Sequence, residues 1–451
     1  MQEALASWHM GRICIAYRHH PFHGPRPLSQ DRVAGWLGLT QAQLSRIENG
    51  SSIRDLDKLI HWAQTLRIPA QHLWFDLPEE RRGLPQVNGV GNGLVVPDKS
   101  LLVVEWTPEC TESLLEMVSD DGVTVTPALA VRLAHEWLVR EPPQVVEIQA
   151  GRHIGEGLIR KVNWRLEQLQ HMDDFIGGYD LHKLVERELR ATIYLLKEAT
   201  YTEALGKRLL TAIAELCQLA GWVAVDAGLS AAAERYYVSG IHAAHAANDT
   251  PLAGNLVSWL SYLYSNAGNP NEAVLLACTA YIGAQDRASA TTKALFQQRI
   301  GWAYARAGEA NQTERALGRA DQSYEQRDPA DDPNWVYWLS RDEMEAMAAR
   351  CYIELRMPKR AQPLLCNALD RYDESFAREV SFYVSWLAES YVQTDDIDEA
   401  ARQAKRALML STRVNSARAK GRVAMLRRRL RPYQHVERVR EFEELCRELE
   451  E

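Results

Sequence analysis

Apolar residues recur at the spacing of amphipathic α-helices through almost the whole chain from Pro127 to its end. Within this stretch a longer pattern repeats. A small or aromatic residue stands four positions before a turn residue at five places, which are Ala224–Gly228, Tyr264–Gly268, Tyr304–Gly308, Tyr352–Arg356 and Tyr391–Asp395. Successive turn residues are separated by 40, 40, 48 and 39 residues. This periodicity predicts one structural unit that is used five times.

Small residues follow each turn at constant distances. Alanine stands five positions after the turn residue in four repeats, at Ala233, Ala273, Ala361 and Ala400, whereas Thr313 takes this place in the third. Another small residue follows seven positions later, at Gly240, Ala280, Ala320, Ala368 and Ala407. Small side chains let paired helices approach closely, and a single pair cannot bury its own apolar face. We therefore predict that residues 127–451 form a tetratricopeptide-like α-solenoid with a polar C-terminal capping helix.

Residues 1–77 predict a different architecture, a bundle of five short helices. Ser29 and Thr40 are suitable N-caps for the second and third helices, while Gly38 and Asn49-Gly50 end them. Residues 78–126 are rich in glycine and proline and predict a connector. The apolar run LLVVEW inside it is compatible with a strand or with packing on a neighbouring element. The predicted fold class is all-α.

The second and third helices of this bundle resemble the helix-turn-helix of Cro/C1 (XRE)-type repressors. The match rests on Gln30, Ala34, Gly38, Thr40, Leu44, Ile47 and Glu48-Asn49-Gly50. Ala34 is small where the two helices cross, and Leu44 and Ile47 anchor the third helix, which leaves its other face free for the major groove. Nearly the whole chain also resembles an actinobacterial family of such regulators with tetratricopeptide-like bodies, through PLSQDRVAGWLGLTQAQLSRIENG, VEWTPE and ELCQLAGWVAVDAG. That resemblance implies control of transcription.

The free face of the third helix supplies the candidate DNA-binding residues. Helical spacing leaves Gln41, Ala42, Gln43, Ser45 and Arg46 after the buried positions are removed. The resemblance implies that Gln41, Ala42 and Arg46 reach base edges, that Gln30 holds a phosphate, and that Asn49 lies near the DNA backbone. Thr40, at the start of the helix, completes the set. Glu48 is expected to pair inside the protein, because phosphates repel a carboxylate.

The net charge of −8 hides an uneven distribution. Residues 1–76 contain eight Lys/Arg and six Asp/Glu, a balance of +2, so the remainder carries −10. The first segment is thus compatible with a phosphate backbone, whereas the acidic remainder does not bind DNA through bulk charge. Double-stranded DNA is the predicted partner. A homodimer is also expected, because one small head gives limited affinity and two-fold operators suit paired heads.

A second candidate site lies on the concave side of the predicted solenoid. Similar architecture occurs in Gram-positive quorum-sensing regulators, which bind a short peptide there. Trp222, Tyr262 and Trp302 share one phase of the repeat and predict an aromatic track for a peptide or small-molecule signal. The alternative is that such aromatics only pack between repeats. The full candidate set is Gln218, Trp222, Asn255, Ser258, Tyr262, Asn266, Gln298, Trp302, Arg306, Arg350, Ser385 and Glu389.

Other function classes find little support in the sequence. GVGNG lacks the flanking strand and helix of a phosphate-binding loop, and neither G-x-S-x-G nor H-E-x-x-H occurs, so no enzyme activity and no cofactor are predicted. The seven cysteines include no C-x-x-C pair. His19, His20 and His23 lack acidic or cysteine partners, which favours a flexible cationic loop over a metal site. No run is apolar enough to span a membrane, and the N-terminus has no signal-peptide core, so a cytoplasmic location is expected.

The leading hypothesis is a sequence-specific DNA-binding transcription regulator whose repeat domain senses a signal, mediates dimerisation, or does both. The alternative is a tetratricopeptide scaffold or antitoxin-like protein that holds a protein partner and uses its DNA-binding head for autoregulation. The operator, the signal and the sign of regulation do not follow from the sequence.

Overall fold

The structure is a computed structural model that describes residues 7, 9–19, 27–37, 39–50, 53, 56–66, 105–119, 121–145, 152–373 and 375–449. The chain divides into two compact units, Met1–Val90 and Gly91–Glu451, which we call the head and the body. About four fifths of the described residues lie in helices. The predicted all-α class is therefore confirmed.

The head contains four described helices, α1 (Met10–Arg18), α2 (Gln30–Trp36), α3 (Gln41–Asn49) and α4 (Leu56–Thr65). Thr40 begins α3 with a capping box, in which its side chain accepts from the Gln43 amide and the Gln43 side chain accepts from the Thr40 amide. Ser29 caps α2 in the same position. The predicted fifth helix, at 69–75, and Gly38 lie outside the described residues. The helices share one apolar core, formed by Met10, Ile13, Cys14, Val33, Ala34, Leu37, Leu44, Leu59, Trp62, Ala63 and Leu66.

The body is a succession of helices joined by short turns. Its described helices are α5 (Pro108–Ser119), α6 (Pro127–Val139), α7 (Glu156–Asp173), α8 (Gly178–Glu198), α9 (Glu203–Asp226), α10 (Ser230–Ala246), α11 (Thr250–Ala267), α12 (Pro270–Ala284), α13 (Ala290–Arg306), α14 (Ala310–Glu325), α15 (Arg341–Glu354), α16 (Pro358–Arg371), α17 (Ala377–Gln393), α18 (Ile397–Ser411), α19 (Ala417–Leu430) and α20 (Glu437–Glu448). From α9 to α18 each odd-numbered helix pairs with the next helix. The odd-numbered helices also pack on one another from α9 to α19, so successive pairs stack.

The five predicted turns share one geometry. Gly228, Gly268 and Gly308 have φ of +81°, +89° and +79°, and Arg356 and Asp395 adopt the same left-handed conformation at +60° and +61°. In each case the next amide donates to the carbonyl five residues before it, which belongs to Ala224, Tyr264, Tyr304, Tyr352 or Tyr391. This bond closes the preceding helix as in a Schellman motif. The repeated sequence pattern therefore marks a repeated helix end.

Close packing explains the recurring small residues. A Cβ added at Gly240 would lie 2.7 Å from a methyl of Leu256 and 2.9 Å from the Cβ of Cys217. Both distances are shorter than ordinary carbon contacts. Thr313, the exception in the alanine series, is fully buried and donates from Oγ1 to the Glu309 carbonyl at 3.0 Å. Its hydroxyl is thus satisfied within its own helix.

The 48-residue spacing contains an insertion between α14 and α15. Two short 3₁₀ turns, Pro329–Asp331 and Asn334–Val336, occupy it. Trp335 and Val336 are buried, and Tyr337 places its hydroxyl 3.1 Å from the Gln170 carbonyl of α7. We call residues 334–340 the strap.

The connector predicted at 78–126 contains regular structure in its last part. Strand β1 (Glu105–Trp106) pairs in parallel with β2 (Gln144–Val145), and α5 packs on α8 and α10. The end of LLVVEW is therefore a short strand, and residues 105–126 belong to the body. A second parallel pair joins β3 (Arg152–His153) to β4 (Ala199–Thr200).

Helix α9 is long and apolar enough to cross a membrane, but 78% of its most apolar window is buried inside the fold. It packs between α8 and α10. Its composition is that of a core helix.

Candidate functional site

Helix α3 of the head has one buried and one exposed face. Leu44 and Glu48 are buried, whereas Gln41, Ala42 and Arg46 are exposed. Gln43 and Asn49 are exposed as well, and Ser45 is half-buried. This division follows the helical period, because positions 44 and 48 point to the core while 41, 42 and 46 point away from it.

Glu48 lies at the centre of a buried polar network. Arg18 of α1 donates to both of its carboxylate oxygens, from Nε at 2.8 Å and from Nη2 at 3.0 Å, and Gln30 donates to Oε2 at 2.6 Å. Burial alone would raise the pKa of Glu48, but hydrogen bonds from Arg18 and Gln30 lower it. The expected internal pairing of Glu48 is confirmed, and the pair ties α1, α2 and α3 together.

The remaining candidate DNA-binding side chains differ in how they are engaged. Gln41 donates to the Gln30 side chain at 3.2 Å, and Asn49 donates to the Ser45 carbonyl at 2.9 Å. Thr40 and Gln43 are occupied by the capping box. Arg46 forms no hydrogen bond or ion pair with the described part of the chain. The exposed end of α3 thus presents Gln41, Ala42 and Arg46 on one surface.

His19 is exposed, and its Nδ1 lies 2.8 Å from the Ile15 carbonyl. His20 and His23 lie outside the described residues. Among the residues that are described, no cluster of three histidine, cysteine, aspartate or glutamate side chains could hold a metal ion.

The body encloses a cavity of about 500 Å³ on the side where its odd-numbered helices converge. Its walls come from α7, α9, α11, α13, α15, α17 and α19, together with the strap and the end of α16. The lining residues are Gln170, Asp173, Asp174, Gln218, Leu219, Trp222, Trp259, Tyr262, Arg299, Trp335, Tyr337, Trp338, Ser340, Asp342, Glu343, Met347, Arg350, Arg371, Tyr372, Asp373, Phe376, Arg378, Glu379, Phe382, Tyr383 and Arg418.

Three guanidinium groups surround Tyr262 on one wall of this cavity. Arg350 donates from Nη2 to the Tyr262 hydroxyl at 2.9 Å, and the Arg299 guanidinium carbon lies 4.4 Å from the centre of the Tyr262 ring. Burial would raise the pKa of Tyr262, but the charges of Arg350, Arg418 and Arg299 lower it to about 8. We call Tyr262, Arg299, Arg350 and Arg418 the basic wall.

The arginines of the basic wall contact aromatic faces more than carboxylates. Arg299 lies 4.2 Å from the Trp259 ring centre, and Arg350 lies 4.5 Å from that of Trp302. Arg418 lies 4.5 Å from the Trp222 ring centre, and its Nε is 3.4 Å from Asp226. Cation–π contacts of this kind stabilise a desolvated arginine, but they leave its N–H groups without acceptors.

The carboxylates that line the cavity are already engaged. Asp173 and Glu379 accept from Arg378, each at 2.8 Å. Glu343 accepts from the hydroxyls of Tyr372 and Tyr383. The other three are paired in the same way, Asp342 with Arg371, Asp174 with the Tyr337 hydroxyl and Asp373 with the Ser375 amide.

Four of the twelve groove residues predicted from the sequence line the cavity, namely Gln218, Trp222, Tyr262 and Arg350. The other eight do not line the cavity. Ser258, Asn266 and Ser385 bond to carbonyls of their own helices, Gln298 donates to the Met344 carbonyl, and Arg306 pairs with Glu354. Glu389 pairs with Arg422 and Arg429, Asn255 is buried, and Trp302 lies behind Arg350.

The predicted aromatic track is present in a modified form. Trp222 and Tyr262 do not stack directly but are linked through Trp259, whose ring centre lies 5.1 Å from Trp222 and 5.8 Å from Tyr262. Tyr262 is followed by Trp302 at 6.4 Å. Trp259 thus supplies the link that the single-phase prediction lacked.

A second phase of the repeat also lines the cavity. Leu219, Trp259, Arg299 and Met347 each stand nine positions before a turn residue, one helical turn earlier than the phase of Trp222 and Tyr262. Counting both phases would have found Trp259 and Arg299. Arg378, Arg418 and the strap residues carry no repeat signal that would place them at the cavity.

Comparison with known proteins does not assign the chain to a family. No protein-family model matches it, and no curated protein shows significant similarity to it. The geometry and chemistry of the two sites therefore carry the functional conclusion.

Proposed function

We propose that this protein is a cytoplasmic, sequence-specific DNA-binding regulator of transcription that acts as a homodimer. In this proposal α2 and α3 form a Cro/repressor-type helix-turn-helix. The body is a tetratricopeptide-like solenoid that binds a signal in its cavity.

The observation that carries the proposal is the two-sided character of α3. Its inner face is held by Leu44 and by the Arg18–Glu48 pair, while its outer face presents Gln41, Ala42 and Arg46. Glutamine can bond adenine through two atoms and arginine can bond guanine in the same way, whereas alanine can contact a thymine methyl group. A rigid helix with these three side chains exposed suits the reading of a major groove.

The hydrogen bonds of the Gln30 side chain also support DNA binding by α3. Gln30 begins α2, bonds Glu48 inside the protein and accepts from Gln41 at the surface. This chain of contacts orients the Gln41 amide before any DNA is bound. A preorganised side chain loses less conformational freedom on binding.

The cavity supports a sensing role for the body. A volume of about 500 Å³ lies in the range of small-molecule sites, and its wall combines aromatic faces with a few buried polar groups. We propose that occupancy of this cavity alters DNA binding by the head.

The experiment is a selection from random duplex DNA at one fixed salt concentration, with wild type and the Gln41→Ala/Arg46→Ala double variant. His61→Ala, an exposed change on α4 of the same head, is the matched control. We expect wild type and His61→Ala to enrich the same motif and the double variant to lose it. Each lost base contact should reduce discrimination by about 1–3 kcal/mol.

Failure of the folded wild-type protein to enrich any motif would contradict sequence-specific reading. Co-purification of a stable protein partner in that case would favour the scaffold role. Enrichment of an unchanged motif by the double variant would place the base contacts on other residues.

A further inference from the structure

The charge pattern of the cavity indicates what kind of ligand it takes, an inference that rests on the proposed sensing role. Arg299 is 2% exposed and forms no hydrogen bond or ion pair with any described residue. Arg350 is 4% exposed and donates a single hydrogen bond within the described part of the chain, to Tyr262. Their Nε atoms are buried and without an acceptor. Within the described part of the chain, two adjacent guanidinium groups are thus desolvated without an ion pair to a carboxylate.

Such an arrangement is unfavourable unless an anion completes it. A buried charge is ordinarily paired, and leaving it unpaired is strongly destabilising. Burial lowers the pKa of Arg299 to about 10, in keeping with this cost. Arg299 still carries its charge near neutral pH, so the basic wall attracts a negative group.

The carboxylates of the cavity do not supply that group. Asp173 and Glu379 are engaged by Arg378, and Asp342 by Arg371. Glu343, which acts on Arg299 through its charge, is held by two tyrosine hydroxyls. The hydrogen-bonding capacity of Arg299 and Arg350 therefore remains for a bound molecule.

The position of the strap favours a small ligand over a peptide. Trp335 and Val336 are buried, and the Tyr337 hydroxyl lies 3.0 Å from Asp174 and 3.1 Å from the Gln170 carbonyl, so the strap crosses from the start of α15 to the end of α7 along the wall of the cavity. An extended peptide lying along the stacked helices would have to displace this crossing. A compact molecule within the cavity would not.

We propose that the cavity binds a small organic anion, with its negative group on Arg299 and Arg350 and an apolar, flat body against Trp222, Trp259 and Phe382. Guanidinium groups bind carboxylate, sulfonate and phosphate through paired hydrogen bonds. Aromatic walls favour a flat or unsaturated body.

The test uses two fluorescent probes that share one aromatic body, anilinonaphthalene sulfonate and the neutral N-phenylnaphthylamine. Both are titrated into the full-length chain. We expect one sulfonate to bind per chain, about tenfold or more tighter than the neutral probe, because charge-assisted hydrogen bonds add to the shared apolar contact. Equal affinities, or no binding of either probe, would overturn the proposal.

The Arg299→Met/Arg350→Met variant should lose the preference for the sulfonate yet still bind the neutral probe, which shows that its cavity is intact. Arg306→Met is the matched control, because Arg306 pairs with Glu354 and does not line the cavity. It should keep the preference. A preference that survives in the double variant would overturn the proposal. If the double variant binds neither probe, the Arg299→Met single variant is titrated instead. An undiminished preference of that variant for the sulfonate would overturn the proposal.

The DNA selection and the probe titration test the two proposals independently of each other. An enriched DNA motif without a probe preference would support the proposed DNA-binding function and contradict the proposed anionic ligand. A probe preference without an enriched motif would leave the anion site and contradict the proposed control of transcription.

Discussion

Arg18 in the head and Arg299 in the body are both buried, yet their surroundings differ completely. Arg18 donates to both oxygens of Glu48 and to the Leu28 carbonyl. Arg299 lies against the faces of Trp259 and Tyr262 and has no carboxylate partner in the described part of the chain. The first arrangement is complete within the fold, whereas the second is complete only when something else is bound. Full pairing therefore marks a structural arginine, and its absence at a cavity marks a binding arginine.

The comparison also holds within the body. Arg378 lines the same cavity as Arg299 but bonds Asp173 at 2.8 and 3.0 Å and Glu379 at 2.8 Å. The two contacts with Asp173 join α17 to α7, whereas Glu379 lies on α17 itself. Arg378 thus behaves as Arg18 does, and the difference between the two kinds of arginine does not depend on which unit they occupy.

The largest effect is expected from Glu48→Gln. This change leaves the Arg18 guanidinium buried without a counter-charge, so we expect a loss of about 3–5 kcal/mol in the stability of the head. Hydrogen exchange of the α1 and α3 amides in the full chain measures it. Exchange in α13 of the body serves as the internal control and should not change.

The same pair predicts a pH dependence. Because the pKa of Glu48 is lowered in the folded head, its contribution is complete above its ordinary value of 4.5 and is lost as the pH falls below that. The glutamine introduced by Glu48→Gln does not titrate, so the variant should lack this part of the acid sensitivity. An identical acid profile in both proteins would contradict the role assigned to the pair.

The second prediction sets Arg378→Met against Arg299→Met. Removal of Arg378 leaves Asp173 and Glu379 without the guanidinium that bonds both of them, which should destabilise the body by about 3–5 kcal/mol. Removal of Arg299 takes away an unpaired buried charge and its cation–π contacts, so we expect a gain of about 1–2 kcal/mol. Urea unfolding of both full-length variants measures the difference.

The essential point of that measurement is that the two variants should change the free energy of unfolding in opposite directions. A similar loss of stability in both variants would mean that Arg299 supports the fold as Arg378 does. The distinction between structural and binding arginines would then fail.

The smallest predicted effect concerns pH and the basic wall. As the pH rises through about 8, Tyr262 releases its proton beside Arg350, Arg418 and Arg299. The phenolate then competes with a bound anion for these arginines, so sulfonate probe affinity should fall by roughly threefold to tenfold. Burial keeps the pKa of Tyr237 well above this range even though the charge of Arg299 lowers it, and Arg299 remains charged because its own pKa is about 10.

Tyr262→Phe is the matched variant, because it keeps the ring beneath Arg299 and Arg350 and removes the titrating hydroxyl. Its probe affinity should be flat from about pH 8 upward, where Glu379 of the same cavity, whose pKa burial raises to about 7, is already charged. A fall in affinity that persists in Tyr262→Phe would assign the pH dependence to another group.

Local rules in the sequence determined the helices and their ends. Thr40 and Ser29 cap helices because their side chains reach amides three residues later, and the five turn residues end helices in the left-handed conformation. Even Arg356 and Asp395, which lack the freedom of glycine, were found through their spacing. Helical period also placed Leu44 inside the head and Arg46 outside it, while the repulsion between a carboxylate and phosphates predicted the internal pairing of Glu48.

The composition of the cavity depended on the tertiary structure. Repeat phase found Trp222, Tyr262 and Arg350, because equivalent positions in stacked helices face the same side. Arg378 and Arg418 stand at the starts of α17 and α19, away from the two repeat phases that line the cavity, and the strap is an insertion outside the repeat. Sequence determines which face of each helix turns inward; only the stacking of helices far apart in the chain decides which buried charges meet a partner and which are left for a ligand.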